Sequence, residues 1–298
     1  MIWIPITLGA VFFQLFRNAS AKRLSRTYSP EMVSLARFLP GIPLVAGLFI
    51  ILCLQGASIH LISPLFFLWT SLMALCQIGA NMLLVMLFRK RNFAGCIALV
   101  KTETILIALL GIVFLNEPVG TVEWVGIALA TVGLMLATIA RDSGKGFKTI
   151  ARSLLSVNSL MALGAGMGLA FATIFVKMSY RCLKTDSNFS LTVFTLLVIL
   201  CVQSAVLSIV ATLKNREEFS RAFREGRYFL ATGMFGVLAS LCWFMAFAMT
   251  KLSNVRTLGQ TELVFGILVA AILFRERVLP FEIAGMACII CGTVLIIL

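Results

Sequence analysis

The chain is poor in charged residues and has one histidine among its 298 residues. Only 12% of the residues are charged, against about 25% in a soluble domain, so a soluble globular protein is excluded. The lone His60 has no acid–base or metal-ligating cluster beside it, which argues against an enzyme and a metal site. No nucleotide-binding domain is present to drive a pump. We expect a protein without catalytic activity or cofactor.

What the sequence has instead is apolar residues, which make up 60% of it. They are grouped in stretches of about 20 residues, the length that crosses a bilayer as a helix. None shows the alternation of a membrane β-strand. We predict an all-α integral membrane protein with ten transmembrane helices. The predicted spans are 2–21, 32–54, 63–88, 93–115, 120–140, 157–181, 188–213, 228–250, 254–274 and 279–297.

The second half of the sequence repeats the first at an offset of 159 residues. Thr102-Glu103 corresponds to Thr261-Glu262, and Gly126 corresponds to Gly285. The repeat places one glutamate inside an apolar stretch of each copy. A pair of acidic residues at matching positions indicates a central site between the copies.

Each copy holds five predicted spans, and an odd number inverts the second copy in the bilayer. The prediction is therefore a 5+5 inverted repeat, with a first unit at 1–140, a basic connection at 141–156 and a second unit at 157–298. Carriers built in this way hold their substrate near the membrane midplane, where the repeats meet.

The net charge of +13 comes from Lys and Arg residues in the short connections between spans. Seventeen of them are counted in the connections after odd-numbered spans. Four are counted in those after even-numbered spans: Arg181, Lys184, Lys251 and Arg256. This bias predicts that the odd-numbered connections are cytoplasmic and that both termini lie outside. The basic charge then reflects topology, with binding of anionic lipid headgroups as the alternative, and nucleic acid is not an expected partner. The expected location is the inner cell membrane.

The repeated segments resemble a known family. Residues 114–118 (FLNEP), followed by 123–126 (EWVG) and Gly133, resemble the end of an EamA domain, and 273–277 with 282–285 resemble it again. EamA domains are the five-helix units of the drug/metabolite transporter superfamily. The resemblance covers nearly the whole chain and implies a ten-helix transporter of small organic molecules. It implies no particular substrate.

Three charged residues are expected near the middle of spans: Lys101, Glu103 and Glu262. A charge in hydrocarbon costs roughly 3 kcal/mol, so each needs a partner. Lys101 and Glu103 point about 200° apart on a helix and do not pair along it. Glu103 could form an internal salt bridge, for example with Arg17 or Arg37. Alternatively, Glu103 and Glu262 contact the substrate or bind a proton.

Arg17 and Lys177 lie near the ends of their spans, where long basic side chains either reach the interface or line a cavity. Arg37 lies deeper in its span. The six intramembrane charges carry a net +2, which favours an anionic or zwitterionic substrate. Further candidates for the binding site, with helix packing as the alternative role, are Gln260, Asn81, Trp243, Gln14, Asn18, Gln77 and Phe244.

The hypothesis is a secondary carrier that exports an amino acid or a related zwitterion or anion by alternating access. Proton coupling through a glutamate is compatible with the sequence but is not visible in it. The alternatives are uptake or flipping of a nutrient or lipid-linked group, and a structural membrane protein that transports nothing. We expect a monomer, with a homodimer as the alternative.

Overall fold

The computed structural model describes residues 1–88, 100–142, 157–214, 217–219, 226–274 and 279–297. These residues are almost entirely helical, apart from two short strands. The helices are α1 (Trp3–Leu24), α2 (Pro30–Phe38), α3 (Ile42–Leu54), α4 (Pro64–Phe88), α5 (Glu103–Leu115), α6 (Thr121–Asp142), α7 (Val157–Arg181), α8 (Asn188–Lys214), α9 (Arg227–Met249), α10 (Leu252–Leu258), α11 (Thr261–Phe274) and α12 (Pro280–Ile297). The strands are β1 (Ile59–Ile62) and β2 (Leu183–Thr185).

Six helical segments of the described chain are long and apolar enough to cross a membrane by themselves. Large apolar side chains also point outward from helices, as Leu54 (82% exposed) and Val113 (72% exposed) do. Such exposure suits hydrocarbon rather than water. The protein is therefore a multi-pass membrane protein, and the count of ten spans stays a prediction. The six are Pro30–Leu54, Pro64–Leu87, Val157–Arg181, Asn188–Lys214, Arg227–Met249 and Pro280–Ile297.

Two of the predicted spans are interrupted beside the repeated glutamates, which corrects the expectation of continuous helices. Predicted span 254–274 divides into α10 and α11 at Gly259 and Gln260. In the described part of predicted span 93–115, a turn at 101–102 precedes α5. Residues 93–99 of that span lie outside the described residues. The interruptions correspond under the 159-residue offset, so the repeat extends to these breaks.

Gly259 stands at the break between α10 and α11 and packs against Trp243. A methyl group at this position would lie 2.5 Å from Cη2 of Trp243, so only glycine fits against the indole. Each break places a glutamate in the first turn of the following helix, Glu103 in α5 and Glu262 in α11. The positive end of a helix dipole stabilises a carboxylate there.

The most extensive helix contacts in the described chain all cross between the two halves: α6 with α12, α4 with α7 and α1 with α9. The α6–α12 contact is close because glycines meet glycines. A Cβ at Gly126 would lie 2.7 Å from the Gly292 carbonyl, and one at Gly285 would lie 2.5 Å from the Gly133 carbonyl. Small residues allow this approach in membrane helices.

We expect Gly285→Ala to lower the melting temperature, because the added methyl group forces the backbones of α6 and α12 apart. The cost of overpacking is about 1–3 kcal/mol. Gly79→Ala is the matched control, since a Cβ at Gly79 meets nothing within 4 Å. Thermal unfolding in detergent checks the pair, and equal melting temperatures would contradict the close contact.

A two-stranded sheet joins the halves at one end of the helices. β1, from the first half, pairs antiparallel with β2, from the second. The sequence analysis predicted no strand here. Asp186 accepts hydrogen bonds from the backbone N–H of Ser58 (2.7 Å) and lies 2.5 Å from Nε2 of His60. These donors hold the pKa of the Asp186 carboxyl below its usual value, the Ser58 backbone N–H contributing most.

This lowered pKa predicts how the sheet responds to pH. A carboxylate whose folded-state pKa is depressed stabilises the fold above its usual pKa, and the contribution is lost as the pH falls through the lowered value. We expect hydrogen-exchange protection factors at Ile59–Ile62 to fall on acidification through that range. In Asp186→Asn, protection should be lower at neutral pH and this acid dependence absent. A wild-type profile in the variant would show that Asp186 is not the responsible group.

Candidate substrate-binding cavity

A cavity of about 320 Å³ lies between the two halves, at the level of the helix breaks. Helices from both halves line it, and its wall combines charged, amide and aromatic side chains. Its polar and aromatic lining consists of Gln14, Arg17, Asn18, Lys22, Arg37, Gln77, Lys101, Glu103, Thr173, Ser240, Trp243, Phe244, Phe247, Arg256 and Glu262.

Glu262 is the centre of one hydrogen-bond cluster. Its carboxylate accepts from the Lys101 ammonium (2.8 Å), from Nε2 of Gln14 (2.7 Å) and from Nδ2 of Asn18 (2.9 Å). The Glu262 side chain is 12% exposed. Its negative charge is therefore matched by one cation and two amides, all supplied by the first half.

Glu103 is the centre of the second cluster. Oε1 of Glu103 lies 3.2 Å from Nη1 of Arg256, whose Nη2 donates to the Thr173 hydroxyl at 2.6 Å. Oε2 of Glu103 is buried and has no hydrogen-bond partner. The pairing with Arg256 differs from the suggested partners Arg17 and Arg37.

Arg256 and Thr173 are the cavity residues that the sequence analysis missed. Arg256 was counted with the loop residues, but α10 carries it into the cavity. The break after α10 is what places a basic residue so close to the middle of the molecule. The signal available in the sequence was Arg256 lying six positions before Glu262, within the apolar segment.

The two ion pairs cross between the repeats. Glu262 of the second half pairs with Lys101 of the first, and Glu103 of the first half pairs with Arg256 of the second. Each base lies just before the glutamate of its own half. A movement of one half relative to the other must therefore stretch or break both pairs together.

Arg17 and Arg37 have no carboxylate within 4 Å among the described residues. Arg17 donates instead to Oδ1 of Asn18 (2.8 Å from Nη2), and Arg37 donates to Oδ1 of Asn81. Nη1 of Arg17 and Nε of Arg37 are buried without a hydrogen-bond partner among the described residues. The Glu262 carboxylate attracts both guanidinium groups from beyond 4 Å but forms no direct ion pair with them. Their hydrogen bonds go to amide oxygens.

An aromatic wall faces the charged groups. Trp243 stacks on Phe247 with ring centroids 5.9 Å apart, and the Arg256 guanidinium lies over both rings at 5.0 and 5.2 Å. The indole N–H of Trp243 donates to Gln14 at 3.0 Å. This wall could pack against an apolar or planar part of a ligand.

Three of the predicted binding residues do not line this cavity. Lys177 pairs with Glu117 (3.1 Å) and donates to the backbone carbonyl of Thr250, just after α9. Lys177 therefore joins the two halves at the end where the sheet lies. Gln260 is buried and donates to Thr131 at 3.3 Å. Asn81 contacts the cavity only through Arg37, which donates to it.

The cavity is closed at one end and open at the other. Val176 and Phe247, buried in the structure, close the end nearer the β1–β2 sheet. Lys22 and Ala19 of α1 are exposed and line the opposite end. By the distribution of basic residues, that open end is the predicted cytoplasmic side.

Comparison with known proteins gives a family and a fold. A model of the EamA-like transporter family matches residues 1–139 and again 158–298. A crystal structure, described only as that of a protein, superposes with a TM-score of 0.71 at 13% identity, covering 98% of this chain and 95% of the other. At that identity the likeness concerns the fold alone. No curated protein matches the sequence.

Proposed function

The chain belongs to the EamA-like transporter family, and from this premise we propose that it is a secondary carrier for a small carboxylate-bearing metabolite, an amino acid or a related anion. It would work in the inner cell membrane as a ten-span inverted repeat and move its substrate by alternating access. The observation that carries the proposal is the excess of positive charge in a cavity formed by both repeats.

The charge count supports an anionic or zwitterionic substrate. Five cationic side chains line the cavity beside two carboxylates, and both carboxylates are already paired. One of the five, Lys22, lies at the exposed end. Arg17 and Arg37 remain for an anionic group, which a guanidinium binds through charge-assisted hydrogen bonds. An amino group of a zwitterion would compete with Lys101 or Arg256 for a glutamate. A purely cationic drug would meet net repulsion.

The size of the cavity supports a single small metabolite. Its volume of about 320 Å³ is at the lower end of the range for small-molecule sites, roughly 300–1,000 Å³. The aromatic wall of Trp243 and Phe247 would accept the apolar part of such a molecule. Aliphatic and aromatic amino acids both suit this combination of a basic pole and an apolar wall.

The crossed ion pairs support a mechanism of alternating access. In the present conformation they hold the halves together, and the buried residues Val176 and Phe247 lie on the side of the cavity nearer the β1–β2 sheet. A substrate that binds Arg17 and Arg37 and offers an amine to a glutamate would weaken one pair. Release of that pair would allow the halves to rock around the cavity. A cavity open towards the predicted cytoplasmic side is consistent with export, and a proton could replace the amine at Glu262 or Glu103.

Transport into and out of proteoliposomes tests the proposal. Purified protein is reconstituted and offered a panel of radiolabelled amino acids, other monocarboxylates and cationic drugs, with and without an imposed pH gradient. We expect saturable flux of a carboxylate-bearing compound and none of the cations. The exposed Lys184→Gln variant, which removes one positive charge far from the cavity, should transport at the wild-type rate.

Two outcomes would contradict the proposal in different ways. Flux of cationic drugs alone would refute the assigned substrate class while leaving a carrier. No flux of any compound above protein-free liposomes, in either direction, would favour the structural alternative. Flux that accumulates a nutrient inward would favour uptake over export.

A further inference from the structure

A second, smaller cavity of about 30 Å³ adjoins the substrate cavity. The two share Arg17, Asn18, Arg37 and Leu84 as lining residues. The small cavity lies among α1, α2, α4 and α9. A water needs about 10–15 Å³ of such space, so it has room for about two waters or one compact group. Its remaining lining residues are Ala21, Val33, Ser34, Asn81, Val85 and Thr232.

Three residues around the small cavity have a buried polar atom without a hydrogen-bond partner. These atoms are Nη1 of Arg17, Nε of Arg37 and the hydroxyl oxygen of Ser34. Arg17 is 6% exposed and Ser34 is 1% exposed. A buried polar group without a partner costs about 1–3 kcal/mol, and more when it is charged. Three such donors around one small space indicate that an acceptor belongs there.

The protein does not supply this acceptor among its described residues. The amide oxygen of Asn81 is taken by Arg37, and that of Asn18 is taken by Arg17. The Thr232 hydroxyl is directed to a carbonyl of its own helix at 2.8 Å. No described carboxylate oxygen lies within 4 Å of either guanidinium. The missing partner is therefore an acceptor from outside the protein, and the two guanidinium charges beside the space favour an anion over water.

Gly236 of α9 leaves space for the side chains of Arg17 and Arg37 to pass next to each other. A Cβ at this position would lie 3.3 Å from Cγ of Arg37 and 3.6 Å from Cδ of Arg17. It would also lie 2.9 Å from the carbonyl oxygen of Arg37. Both side chains thus pack against the backbone of α9 at Gly236. The two like charges repel each other and are partly offset by the carboxylate of Glu262, so an anion placed between them is stabilised.

We propose that the small cavity is an anion subsite, in which Arg17, Arg37 and Ser34 bind one compact monoanionic group. The group is either the carboxylate end of the transported substrate or a free chloride ion. The carboxylate source rests on the proposed function, and the chloride source does not. The space is too small for a whole metabolite, so a substrate would place only its carboxylate here and its remaining atoms in the larger cavity.

Thermal unfolding of the purified protein in detergent tests this subsite without any transport step. Sodium chloride, sodium acetate and glycine are titrated at constant ionic strength against sodium HEPES, a bulky reference anion that carries no carboxylate. The variants are Ser34→Ala, which alters only the small cavity, and Arg37→Gln. Lys184→Gln controls for the loss of a surface charge. We expect a saturable rise in melting temperature, with apparent affinity at least about tenfold weaker in Ser34→Ala, since a hydrogen bond to a charged group is lost.

The outcomes separate the two sources and the two proposals. Stabilisation by chloride that is weakened in Ser34→Ala supports a free-anion site. Stabilisation by acetate or an amino acid alone, weakened in the same variant, supports the substrate carboxylate. No anion effect in the wild type, or an effect that is unchanged in both Ser34→Ala and Arg37→Gln, overturns the subsite. A protein stabilised by chloride that moves no compound would refute only the carrier.

Discussion

Glu262→Gln is expected to reduce the transport rate by about two orders of magnitude. The substitution removes the charge that the Lys101 ammonium contacts at 2.8 Å. Breaking one partner of a buried ion pair costs about 3–5 kcal/mol, because the other charge is left uncompensated. We assign this cost to the substrate-binding conformation relative to the other conformations of the cycle, where about 3 kcal/mol corresponds to roughly a hundredfold change. Initial rates in proteoliposomes, normalised to the amount of folded protein, measure the effect.

A matched substitution separates the role of Glu262 from a general effect of removing an acid. Glu123 also accepts a lysine, Lys251 at 2.9 Å, and also lies in the first turn of its helix, but it stands outside the cavity. Glu123→Gln should therefore retain most transport. The double variant Glu262→Gln/Lys101→Met removes the orphaned charge. If it restored wild-type transport, Glu262 would serve only as the partner of Lys101.

Arg256→Gln is expected to lower both transport and thermal stability. Glu103 is 3% exposed, and Arg256 is the only cation of the described residues within 4 Å of its carboxylate. Its loss leaves a buried carboxylate unpaired at a cost of about 3 kcal/mol or more. It also removes the guanidinium from the faces of Trp243 and Phe247. We expect a transport rate at least about tenfold below wild type.

The conservative variant Arg256→Lys tests whether the shape of the guanidinium matters as well as its charge. Lysine can keep the charge opposite Glu103. It lacks the planar guanidinium that also donates a hydrogen bond to the Thr173 hydroxyl. An intermediate rate is expected. Arg181→Gln, at the end of α7 nearer the sheet, is the control outside the cavity. Wild-type transport by Arg256→Gln, at several substrate concentrations, would remove Arg256 from the site.

The sequence alone was sufficient for the membrane class, the repeat and five of the charged cavity residues. Long apolar stretches can satisfy their backbone in lipid only as helices or closed barrels, so composition limits the fold strongly. A charge within such a stretch needs a polar environment, which is why Arg17, Arg37, Lys101, Glu103 and Glu262 could be singled out. The repeat then indicated that the two glutamates lie near one another.

The pairing of the charged residues and the positions of the helix breaks could not be predicted from the sequence. Which base meets which acid depends on how α1, α5, α10 and α11 lie against one another, and that is decided by packing across the repeats. Gly259, at the break, packs against the Trp243 indole, a residue 16 positions away. Periodicity carries no signal for such a contact, so Arg256 was assigned to a loop.

Lys177 is a second residue whose role the sequence could not decide. Its position near the end of a span allowed either interface contact or cavity lining, and tertiary structure gave it Glu117 at the closed end. Sequence by itself determined what the bilayer imposes on each segment separately: apolar length, rare charges and the sign of the connections. Tertiary structure decided which charges pair with one another. It also left Arg17 and Arg37 without a carboxylate within 4 Å among the described residues. Both outcomes depend on distances between segments, which no single segment contains.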